Sequence, residues 1–104
     1  MKVDPGQKLD RALPGLLVPF GIATIASHEM TGWASATFAG LRHRIRLMLQ
    51  GDATIPDMAA LAALLADADV PIPGHLVADI ALVDHCHCGP RIMLEIEALT
   101  LVDS

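Results

Sequence analysis

The 104 residues carry seven Lys and Arg against twelve Asp and Glu, a formal charge of −5, with 53% apolar residues and a mean hydropathy of +0.49. That apolar content excludes a disordered chain, and the length suits one domain spanning residues 1–104. The acidic balance, with Phe20, Trp33 and Phe38 as the aromatic complement, argues against nucleic acid as a partner, because phosphate contacts need cations and base stacking needs aromatic rings.

Asp4 and Pro5 predict a short first helix to residue 13, since aspartate accepts from free backbone N–H groups and proline suits the first helical position. Pro14-Gly15 is expected to end it. Residues 16–28 read as a strand with Val18, Phe20, Ile22 and Thr24 on one side, followed by a turn over 29–32 that uses Gly32. Residues 33–49 form the second strand. Its later half is the clearest pattern in the chain: Leu41, His43, Ile45, Leu47 and Leu49 alternate with Arg42, Arg44 and Arg46. Phe38 has the opposite parity, which places a bulge near Gly40.

Thr54 and Asp57 offer a capping box for a helix running to about residue 68, with Met58, Leu61, Leu65 and Ala68 as its buried stripe. A stiff connector over 71–74 leads to a third strand, 76–84, with Leu76, Ala78, Ile80 and Leu82 on one face. Residues 85–90 read as a loop or frayed strand end. The fourth strand, 91–102, turns Ile92, Leu94, Ile96, Ala98, Thr100 and Val102 inward. No internal repeat is visible.

The expected fold is therefore α+β: a two-layer β-β-α-β-β arrangement, a four-stranded, mostly antiparallel sheet with one helix on one face. Charge orders the strands. Residues 1–52 hold six cations and four acids, and residues 53–104 one cation and eight acids. Arg42, Arg44 and Arg46 meet Glu95 and Glu97 if the fourth strand lies beside the second, which gives the order 1-2-4-3. The face without the helix then carries Val77, Ala81, Val83, Met93, Leu99 and Leu101 beside those charges. So much apolar surface in a small chain predicts a homodimer through that face.

The longest uncharged run, residues 12–28, is broken by Pro14, Gly15, Pro19 and Gly21, so no membrane span is expected. Residues 1–6 lack the apolar run of a signal peptide, and a cytoplasmic setting is expected to keep Cys86 and Cys88 reduced.

One segment suggests chemistry: His85, Cys86, His87 and Cys88. Imidazole and thiolate are ligands for zinc and softer transition metals, so this tract is the candidate metal or thiol site. In an extended chain the two histidines point opposite to the two cysteines, and the spacing is not that of common zinc sites. His43 reads as a core or rim histidine with one hydrogen bond, while His28 and His75 read as facing solvent. No nucleophile elbow or phosphate loop is present, and no catalytic or cofactor-binding residue is assigned. The leading expectation is a non-catalytic accessory or binding module that self-associates; the alternative is a metal- or thiol-based function at residues 85–88.

Overall fold

Asp4 accepts a hydrogen bond from the Gly6 N–H at 2.9 Å, and Pro5 takes the first helical position, so α1 (Pro5–Leu16) begins where the cap requires. The structure is a computed structural model that describes residues 4–51 and 57–102. A 3₁₀ turn (Val18–Phe20) follows α1, then β1 (Ile22–Ala34), β2 (Ala39–Gln50), α2 (Met58–Ala66), β3 (His75–Cys88) and β4 (Arg91–Val102). All strand pairs are antiparallel, in the order β1-β2-β4-β3. The expected class and strand order both hold.

Among the described residues there are two helices, not one. The first runs through Pro14 where the sequence predicted a stop, and the Leu17 N–H still reaches the Leu13 carbonyl at 3.1 Å. Near a helix end, proline forfeits little more than one backbone bond, and continuing the turn buries Leu17 completely beside Leu9 and Leu13. Burying one leucine is worth roughly 1.5–3 kcal/mol, enough to offset that loss. At α2 the observed cap is Asp57, whose carboxylate accepts from the Ala59 and Ala60 N–H groups. Asp57 therefore precedes the helix rather than lying inside it; Thr54 falls outside the described residues.

α1 lies against β1 and α2 against β3. Their leucines (Leu9, Leu13, Leu17, Leu61 and Leu65) join Ile45, Leu47, Leu49, Ile80, Ile92, Leu94, Ile96 and Ala98 in one core cluster. Those strand residues share one face, so both helices cover the same side of the sheet and the other side is open. Among the described residues no helix is long and apolar enough to cross a membrane.

The order α-β-β is used twice, with β2 and β4 as the antiparallel seam and Ile45 opposite Ile96. The halves echo each other in sequence: Leu9 and Leu13 recur as Leu61 and Leu65, and Val18-Pro19 as Val70-Pro71. The expectation of no internal repeat is thus corrected. These pairs share one constant offset, which β1 and β3 break because the halves differ in turn length and bulge position. β1 and β2 are joined by residues 35–38, where the Ser35 hydroxyl accepts from the Phe38 N–H at 3.0 Å. β3 and β4 are joined by Gly89-Pro90 alone, with Gly89 at φ 64°.

Bulges account for the misread faces. The β1–β2 register shifts between Ile25 and Ser27, so Ala23 and Ile25 face the core, then His28 and Met30. Val18 and Phe20 belong to the 3₁₀ turn and Ile22 is 76% exposed, contrary to the expected alternation. The expected turn at 29–32 is instead continuous strand. The β3–β4 register shifts twice, between Val77 and Asp79 and between Leu82 and Asp84. Val77 therefore packs on the core while Leu76, expected inside, is 57% exposed, and Val102 is likewise out at 53%. No shift occurs at Gly40; its place is fixed by close approach, because a Cβ there would collide with the Thr100 carbonyl oxygen.

Candidate functional site

Four side chains from four elements form a continuous hydrogen-bonded chain beneath α1. Asp10 Oδ1 (α1) lies 2.7 Å from His28 Nδ1 (β1), His28 Nε2 lies 2.9 Å from His43 Nδ1 (β2), and His43 Nε2 lies 2.9 Å from Thr100 Oγ1 (β4). The Thr100 hydroxyl is also 3.5 Å from the Leu41 carbonyl. His43 and Thr100 are fully buried, while the His28 side chain is 9% exposed and that of Asp10 34%. Gly6 gives His28 its room: a Cβ there would press on the Met30 sulfur and the His28 ring.

Two proton arrangements satisfy every atom. With His28 neutral, its Nδ1–H donates to Asp10, His43 Nδ1–H donates to His28 Nε2, and Thr100 donates to His43 Nε2. With His28 protonated, it donates to both Asp10 and His43; His43 then donates through Nε2 to Thr100, which donates to the Leu41 carbonyl. Burial, and next the nearby His28, hold the His43 imidazole down to about 4, so it is the neutral member of the pair.

The other half shows that the fold does not require these groups. Leu82 lies opposite Ile96 as His28 lies opposite Ile45, Leu94 stands in β4 where His43 stands in β2, and Ala62 follows Leu61 as Asp10 follows Leu9. The corresponding positions there hold hydrocarbon side chains. Thr100, though hydrogen-bonded to an imidazole, is buried and so is no exposed nucleophile.

Sequence reasoning placed His28 in solvent and gave His43 a single bond; the structure half-buries His28, fully buries His43 and gives His43 two bonds. The bulge after Ile25 is what turns His28 inward, and no residue type announces it. His28 and His85 do not meet, because they lie on the opposite edge strands β1 and β3.

The tract 85–88 is regular strand as far as the Gly89-Pro90 turn, not a loop. His85 and His87 stand opposite Leu94 and Ile92 with ring centroids 6.0 Å apart, while Cys86 and Cys88 stand opposite Met93 and Arg91 on the open face. The four do not converge on one point. Among the described residues no three His, Cys, Asp or Glu side chains gather as a metal cage. Both thiols are free and exposed, and the Cys86 thiol is pushed up, first by the charge of Cys88 and then by its hydrogen bond.

On the open face the expected ion pairs are present: Arg44 to Glu97 at 3.1 Å and Arg46 to Glu95 at 3.3 Å, on directly opposed positions. The face is banded. An apolar row (Trp33, Gly40, Leu101 and Leu76) lies at one end, the charges lie in the middle, and Met48, Met93 and Cys86 form a row toward the other. No protein-family model, curated protein or solved structure matches the chain.

Proposed function

We propose that the protein works by pairing with a second copy of itself through the open sheet face, as a non-catalytic assembly module. The supporting observation is the division of charge on that face: Arg42, Arg44 and Arg46 form a column on β2, and Glu95 and Glu97 form its counterpart on β4. A twofold axis lying between two such sheets, parallel to the strands, sets each β2 over the partner's β4 and each arginine column over a glutamate column. An axis across the strands sets arginine on arginine. The face thus complements itself in one orientation, which is the requirement of an isologous dimer.

Its area is also of the right size. Four strands about 4.8 Å apart, rising about 3.3 Å per residue, make a face on the order of 750 Å², against about 800 Å² per partner in a standard interface. The half-buried Met48, Met93, Leu99 and Leu101 supply apolar contact on either side of the charges. Sedimentation equilibrium tests the reading: a dimer at micromolar concentration that Leu99→Asp converts to a folded monomer supports it. A wild-type monomer throughout that range overturns it.

A further inference from the structure

We infer that Cys86, Cys88 and Met93 form a binding site for a soft monovalent metal ion, with copper(I) as the chemical type. This goes beyond self-association and does not depend on it. Cross-strand register places Cys86 directly opposite Met93, which is itself opposite Met48. Side chains so placed have Cβ atoms about 4.5–5.5 Å apart. Cys88 lies two residues along β3 on the same side as Cys86, opposite Arg91. Four sulfur atoms therefore occupy one end of the open face, two as thiols and two as thioethers.

The donor set selects the ion. Zinc favours four tetrahedral ligands from cysteine, histidine or carboxylate, and His87, opposite Ile92, stands on the other side of the strand from the thiols. Thiolate and thioether sulfur, by contrast, favour copper(I), which accepts low coordination numbers. The surroundings also suit it. Cys86 and Met93 line a depression of about 200 Å³ together with Arg46, Asp84, His85 and Glu95. Two thiolates around one monovalent ion leave a net negative charge, and Arg91 stands opposite Cys88. β3 is a sheet edge, so the thiols are also approachable from the side. Binding exchanges the two thiol protons for the ion, with no change of oxidation state.

The test uses the full chain, without tag and under anaerobic conditions, titrated with copper(I) held by a competing chelator and separately with silver(I) alone. One ion per chain is expected, with release of both thiol protons and a thiolate-to-copper charge-transfer band. Cys86→Ser and Cys88→Ser should each weaken binding on the order of a hundredfold and Met93→Leu about tenfold. His87→Ala, outside the depression and opposite Ile92, should leave it unchanged. Three results overturn the assignment: a His87→Ala chain that loses as much as the cysteine variants, a Met93→Leu chain equal to wild type, or a linear peptide of residues 83–91 that binds as tightly as the folded protein. Self-association is read separately by sedimentation of the metal-free chain, so either conclusion can fail alone.

Discussion

His28 Nε2 and His43 Nδ1 lie 2.9 Å apart, and the second imidazole is fully buried. Two facing ring nitrogens at that distance need one proton between them, carried by His43 when His28 is neutral and by His28 when it is protonated. The chain of groups is strung across α1, β1, β2 and β4, so its geometry reports directly on the packing of the first half.

The first consequence is acid sensitivity. His43 is held down to about 4 from 6.5, chiefly by burial and then by His28, with Asp10 and Asp4 pulling weakly the other way. The unfolded chain binds this proton more readily than the native one. The stability from neutral His43 is therefore complete above pH 6.5 and is lost as the pH falls toward 4. The gap between the two values corresponds to about 3 kcal/mol. Urea unfolding from pH 7.5 to 4.5 measures it, and His43→Leu should flatten the slope relative to wild type.

Replacing the pair separately and together distinguishes a polar network from packing. His43→Leu alone leaves His28 Nε2 without its partner and should cost about 1–3 kcal/mol at pH 7. His28→Leu with His43→Leu reproduces the Leu82 and Leu94 arrangement of the other half and should be nearly neutral or stabilising, by up to about 4 kcal/mol. Chemical denaturation of the two single variants and the double variant gives the coupling. Additive losses would mean the histidines act independently.

Gly40 tests the seam between the halves. A methyl group there meets the Thr100 carbonyl, so Gly40→Ala forces β2 and β4 apart beside the buried hydroxyl. A loss of about 1–3 kcal/mol is expected, as for an overpacked core. Gly32 has open space around its Cβ position, so Gly32→Ala in β1 should stay within about 0.5 kcal/mol. Thermal melts of the two variants compare them directly.

Much of the sheet was legible because exposed charges and alternating aliphatics agree: three arginines facing two glutamates set the fourth strand beside the second, and the structure pairs Arg44 with Glu97 and Arg46 with Glu95. β1 and β3 were harder for one physical reason. A strand has period two, and one extra residue near Ala26, Ala78 or Val83 exchanges its faces without altering composition. That exchange brought His28 inside and took Leu76 out. The proline inside α1 misled because a local penalty was set against a burial term visible only in three dimensions. Cys86 and Cys88 were recognised as a pair of sulfurs, but Met93 and Met48 join them only through strand order, which no local spacing reveals.

The pairing of copies is tested most directly by mixing two charge-reversed chains. Arg44→Glu with Arg46→Glu makes both central columns acidic, and Glu95→Arg with Glu97→Arg makes both basic. Each protein alone should sediment as a folded monomer, since either copy now meets its own sign. An equimolar mixture should sediment as a dimer containing one chain of each kind, because β2 over β4 then restores opposite charges on both sides of the axis. A mixture that remains two monomers would contradict the proposed face.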